Sequence, residues 1–131
     1  MRHNEIGKVL IPGGVHPWPH ELRVANILAL AGHTIEFIPR TNTKTADILL
    51  DNVPFEIKSP KSSNLNTLEH TLKKALKQSR NIIIDTSRIK NARDDNICHF
   101  LINQTRNRKQ IKCLIMISKQ RQVLDISAAA K

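Results

Sequence analysis

One stretch constrains the fold of this chain more than any other. It runs Ala-Asp-Ile-Leu-Leu-Asp-Asn-Val-Pro-Phe-Glu-Ile-Lys over residues 46–58. Two alternating runs flank Asp51-Asn52, a pair suited to a tight turn because Asn accepts positive φ, although Asn-Gly is the stronger signal. With those two at the turn's centre, Leu50 faces Val53, Leu49 faces Pro54, Ile48 faces Phe55 and Asp47 faces Glu56. Alternation then sends Ile48, Leu50, Val53, Phe55 and Ile57 to one apolar face. Asp47, Glu56 and Lys58 go to the other. In this register Asp47 and Glu56 form a non-hydrogen-bonded pair with Cα atoms about 4.5 Å apart. Pro54 sits where the partner strand needs no N–H.

Two opposed carboxylates destabilise a hairpin unless something compensates. A divalent cation does so, and Mg²⁺ is satisfied by one or two carboxylates with water and phosphate oxygens completing its shell. Lys58, on the same face, can orient a water or neutralise charge growing on a phosphate. The pattern therefore points to phosphodiester hydrolysis, with a metal that lowers the pKa of a bound water. All-oxygen donors favour Mg²⁺ or Mn²⁺ and leave Zn²⁺ open. The competing reading is an exposed hairpin face with scattered charges.

The rest of the chain reads as a mixed sheet flanked by helices, in the order α-β-β-β-α-β-α-β-β. Residues 1–17, with Pro12, Gly13, Gly14 and Pro17, read as an irregular lead-in, and 18–131 as one domain. Helices are expected over 18–31, with Pro19 in the first turn and Gly32 as the stop, over 64–80 and over 93–107. In 64–80, Leu65, Leu68, Leu72, Ala75, Leu76 and Ser79 make one stripe. Strands are expected over 33–39, 45–50, 53–59, 81–85, 111–118 and 122–126. The apolar run Asn-Ile-Ile-Ile-Asp at 81–85 has the composition of a buried, parallel strand.

The 131 residues carry a formal net charge of +10, which favours an anionic partner. Residues 1–66 hold seven Lys/Arg against six Asp/Glu, whereas 67–131 hold fourteen against five. A binding module needs only the cations; a metal-using nuclease needs both. With three Phe, one Trp and no Tyr, stacking platforms of the RRM kind are scarce. Cys98 and Cys113 show no zinc-ligand spacing and read as reduced thiols, with a disulfide left open. No apolar run reaches the roughly 20 residues of a membrane span.

Asp47, eight intervening residues, then Glu56-Ile57-Lys58 resembles the D-xn-ExK core of the PD-(D/E)XK nuclease superfamily. Ala46 stands where that motif often begins with proline. The stretches AGHTIEFIPRTNTKTADILLDNVPFEIKSP, TLEHTLKKALKQSRNIIIDTSRIK and IKCLIMISKQRQVLDI resemble the C-terminal toxin domains of CdiA-type contact-dependent growth inhibition proteins, the tRNA-nuclease group in particular. The likeness spans roughly residues 17–126. It implies a single α/β domain of PD-(D/E)XK type at the end of a large exported protein. Such a domain acts in the cytoplasm of a neighbouring bacterium, cleaves tRNA with a divalent metal and is neutralised by a cognate immunity protein. It also implies that Glu21, on the first helix, joins Asp47, Glu56 and the Ile57 carbonyl as metal ligands, with Lys58 assisting catalysis. Without the resemblance, Glu21 is equally a first-turn carboxylate complementing the helix dipole.

The superfamily often places a substrate-contacting residue on the helix after the ExK strand; Thr67, His70, Lys74, Lys77 and Gln78 are the candidates here. Lys73, Lys74, Lys77 and Arg80 read either as a solvated face or as phosphate ligands, and Arg106, Arg108, Lys109 and Lys112 form a second cationic group. Asp51 replaces Asp47 only in another hairpin register, and Asp85 reads as structural or as a site neighbour. His16 and His20 read as solvated, with RNA contact or proton transfer as the alternative, and Gly13-Gly14 lacks the rest of a P-loop. Three functions remain open: an RNA endonuclease, a DNA endonuclease of the same superfamily, and a basic nucleic-acid-binding domain without catalysis. A host activating factor is neither implied nor excluded.

Overall fold

The computed structural model describes residues 6–41 and 45–131, so residues 1–5 of the expected lead-in lie outside it. A seven-stranded mixed sheet forms the middle layer, its strands side by side in chain order. They are β1 (Val9–Leu10), β2 (Ile35–Phe37), β3 (Ile48–Leu50), β4 (Val53–Lys58), β5 (Asn81–Asp85), β6 (Cys113–Ile117) and β7 (Val123–Asp125). The pairs β1–β2, β4–β5 and β5–β6 are parallel, and the others antiparallel. The helices are α1 (Pro19–Leu30), α2 (Leu65–Leu76), α3 (Asp94–Asn107) and the short α4 (Ile126–Ala129).

Two apolar clusters glue the layers together. On one face, Val24, Ala25 and Leu28 of α1 pack on Ile35, Ile48, Phe55, Ile57 and Ile83. On the other, Leu68, Leu72 and Ala75 of α2 and Ile97 and Leu101 of α3 pack on Ile82, Ile84, Leu114 and Met116. This is why β5 reads as continuous Ile: both of its faces are covered.

Local chemistry sets the ends of the elements. Pro19 opens α1, and Glu21 reaches back to accept the Trp18 N–H at 2.9 Å. Gly32, at φ +98°, closes it in the left-handed region that glycine enters freely. The Asn64 side chain caps α2 by accepting from the amides of Asn66 and Thr67. The hairpin turn has φ +48° at Asp51 and +69° at Asn52, the backbone of a type I′ turn. The Asp51 carboxylate accepts from Thr34 N and meets His33 Nδ1 at 2.7 Å, tying the turn to the start of β2. Partial burial pushes that carboxyl up, but the Thr34 amide and the His33 ring outweigh it and hold it below its usual value.

Several expectations need correction. The lead-in is not wholly irregular: Val9–Leu10 adds a parallel edge strand to β2, too short to carry an alternation signal. Gly7 allows this approach, because a Cβ there would sit 1.7 Å from the His33 carbonyl oxygen. Val53, assigned to the core face, is 42% exposed at the hairpin tip, and Leu65, assigned to the α2 stripe, is 52% exposed in the first turn. The helix expected over 64–80 ends at Leu76. Gln78 and Ser79 turn back to donate to the Ala75 carbonyl, and the Ser79 hydroxyl bonds Pro54 O and Asn81 N. The last strand stops at Asp125, whose carboxylate caps α4 through Ala128 N. No helix of the described residues is long and apolar enough to cross a membrane.

Candidate active site

The strand that carries Glu56-Ile57-Lys58 changes partner at its midpoint. Val53–Phe55 pair with β3, whereas Glu56, Ile57 and Lys58 pair with Ile82, Ile83 and Ile84 of β5. The predicted hairpin register holds for Leu50↔Val53, Leu49↔Pro54 and Ile48↔Phe55, and the ladder stops there. Asp47 does not form the fourth pair. Its N–H donates to Phe55 O at 3.0 Å and its carbonyl accepts from Ile38 N, so the backbone bends at this residue. The Ile57 N–H donates instead to Asp47 Oδ2 at 2.8 Å. The two strands thus fork, and the Asp47 carboxylate lies in the fork.

A cleft of about 280 Å³ opens here, lined by Asp47, Glu56, Glu21, Arg40, Phe37 and Gln78 among others. Glu56 is buried on the α2 side of the sheet, its register partner being Ile82. Its Oε2 is 3.2 Å from Lys58 Nζ. Its Oε1 is buried and unpartnered among the described residues, as is the side-chain oxygen of Gln78. Burial pushes the Glu56 carboxyl up to about 7, the Asp47 charge adds to that, and Lys58 opposes it. Asp47 is raised too, by burial and by the Glu21 charge, against the lowering effect of the Ile57 amide and Lys58. The fork therefore crowds two carboxyls together, and Lys58 only partly offsets the cost of ionising both.

Glu21 lines the same cleft, but its Oε1 is engaged by Trp18 N at 2.9 Å and by Arg40 Nη2 at 2.8 Å. Among the described residues no three His, Cys, Asp or Glu side chains are grouped to hold one ion. The expected set of Glu21, Asp47 and Glu56 is thus not gathered here, because Arg40 and the helix cap take the Glu21 carboxylate. Arg40 also lies over the exposed Trp18 ring, 5.9 Å from its centroid. Neither residue stood out in the sequence: Arg40 has no periodic neighbours, and its contact with α1 is purely tertiary.

The five substrate-contact candidates are dispersed. Gln78, in the turn after α2, reaches the acidic cleft. Lys74 shares a neighbouring cleft with Lys58, Ser59 and Thr71. Lys77 faces a third, with Lys73, Arg80 and Arg108. Thr67 is exposed and belongs to the cap of α2, and His70 is exposed. Asp85 is fully buried and accepts from Arg23 Nη1, Ser59 Oγ, Ser87 N and Ser87 Oγ. It ties α1 to the segment just after Lys58. His16 is exposed beside Gly13, Gly14 and Arg40. Cys98 and Cys113 are free thiols, both pushed up chiefly by burial.

Helices on both faces of a mixed sheet, with paired acids at a strand fork, define an α/β domain built around an anionic cleft. Residues 44–123 match the contact-dependent growth inhibition CdiA C-terminal domain, and the chain belongs to that family. Its fold is that of a chain from the CdiA-CT/CdiI toxin and immunity complex from Burkholderia pseudomallei. The two share a TM-score of 0.72 and 17% identity over 91% of this chain and 98% of that one. No curated protein matches the sequence.

Proposed function

We propose that this domain is a divalent-metal-dependent endonuclease of PD-(D/E)XK type that hydrolyses RNA, with tRNA as substrate. In this reading it acts in the cytoplasm of a neighbouring bacterium and is neutralised by a cognate immunity protein. One observation carries the chemistry: Asp47 and Glu56 share a cleft in which a buried carboxylate oxygen has no partner. Membership of the CdiA family supports the setting. The related fold, recorded in a toxin and immunity complex, supports the immunity partner.

The residues fit a hard cation. The donors are all oxygen, both carboxyls are raised, and two carboxylates suffice for Mg²⁺ or Mn²⁺. Asp47, Glu56 and the Ile57 carbonyl would hold it, with Glu21 joining once its carboxylate leaves Arg40. When bound, such an ion supplies Lewis acidity and lowers the pKa of a bound water. The chain does the positioning. The Ile57 amide fixes one Asp47 oxygen. Lys58, held by Glu56, orients a water and offsets charge on the scissile phosphate. Gln78 offers a free acceptor to a water or a ribose hydroxyl.

The test is incubation of the purified protein with total RNA and with plasmid, each with Mg²⁺ and with EDTA. Metal-dependent cleavage of tRNA is expected. Asp47→Ala or Lys58→Ala should lower it by about 100-fold or more while the fold survives. Full activity in either variant removes this reading. Cleavage of plasmid alone makes the substrate DNA, and binding without cleavage makes the domain a nucleic-acid-binding module.

A further inference from the structure

Members of both cationic groups of the sequence line one groove. Lys73, Lys77 and Arg80, from α2 and the turn after it, line a cleft of about 380 Å³ with Arg108 and Gln110, from the loop before β6. Arg80 joins the two segments: its Nε donates to Gln110 O at 2.9 Å and its Nη2 to Lys109 O at 3.3 Å. In return the Lys112 amide donates to the Arg80 carbonyl. The guanidinium is thus fixed in place without an acid to neutralise it. Glu69, the one acidic residue of α2, is turned to Arg108. Among the described residues, Lys73, Lys77, Arg80, Lys109 and Lys112 enter no ion pair. Lys73 and Lys77 stand at i and i+4, a like-charge spacing that weakens a helix. Lys77 faces the groove, and the next residue, Gln78, faces the acidic cleft.

We infer that this groove binds the phosphodiester backbone of the RNA on one side of the cleavage site. Three unneutralised cations along the groove, Lys73, Lys77 and Arg80, with Arg108 opposite them and Lys109 and Lys112 in the adjoining loop, suit a polyanion rather than a single anion. A fixed guanidinium presents N–H groups in the geometry that phosphate oxygens accept. Contiguity through the 77–78 turn lets one backbone run from groove to cleft. The inference rests on the nuclease reading for its substrate, but its test needs no cleavage.

The test measures Kd for tRNA by fluorescence anisotropy between 50 and 250 mM KCl, in an Asp47→Ala background. Lys73→Gln/Lys77→Gln should weaken binding about tenfold and reduce the slope of log K against log salt by about 1.5. Lys90→Gln/Lys131→Gln, which removes the same charge elsewhere on the surface, should leave the slope within error. An unchanged slope in the groove variant, or an equal drop in the control, overturns the inference. A groove that binds tRNA in a protein that cuts nothing sinks the nuclease reading and leaves this one standing. Metal-dependent cleavage with an unaltered slope does the reverse.

Discussion

Glu56 concentrates the tension of the site in one side chain. The folded chain holds its proton up to about pH 7, whereas the ordinary carboxyl value is 4.5. A carboxyl raised on folding favours the native state while protonated. The stability it contributes is therefore full below about 4.5, falls as pH rises and is gone above about 7, a loss on the order of 3 kcal/mol. Asp47 acts in the same direction. In metal-free buffer, Glu56→Gln should flatten the decline of Tm with pH and raise Tm at pH 8 by roughly 3–8 °C. Parallel thermal-denaturation profiles for parent and variant would show that the carboxyl is not strained. Asp85 is the opposite case, equally buried but fully satisfied. Asp85→Ala strands the Arg23 guanidinium and two serine hydroxyls and should cost about 3–5 kcal/mol in urea denaturation. A loss under 1 kcal/mol would mean that water replaces the carboxylate easily.

At the scale of elements, the type I′ turn and the partner change in β4 make the site. The turn was legible because Asp-Asn accepts the required φ, and alternation then set three cross-strand pairs correctly. The fourth pair was not legible. Whether the ladder continues to Asp47 depends on β5 drawing Glu56–Lys58 away, and β5 lies beyond an intervening helix. The α2 cap was likewise local. Asn64→Ala removes the acceptor for two amides and should destabilise by about 1 kcal/mol, read as a shift in the urea midpoint at constant m. An unshifted midpoint would mean that water satisfies those amides equally well. The C-terminal end of α2 defeated the pattern, since Ser79 fits the helical stripe but bonds to Pro54 O instead. That early stop delivers Gln78 to the cleft.

For the whole molecule, the fork, the α1 cap and the α2 turn converge on one anionic cavity, so folding and cation binding should be linked. Mg²⁺ or Mn²⁺ at 100 times its Kd should stabilise the native state by about 2.7 kcal/mol, seen as a rise in Tm that EDTA reverses. Asp47→Ala should abolish that rise. An equal rise in parent and variant would place the ion elsewhere.

Local order determined the class of fold, the helix caps, the hairpin turn, the Ile-rich central strand and the presence of two acids and a lysine on one hairpin. Each depends on residues within a few positions of one another, where periodicity and φ preference are decisive. Tertiary structure alone decided three things. β4 leaves β3 at Glu56, Arg40 takes the Glu21 carboxylate, and Arg80 joins two cationic segments into one groove. Those outcomes join residues 19 to 30 positions apart, and the backbone and side-chain bonds that settle them exist only once the layers have packed.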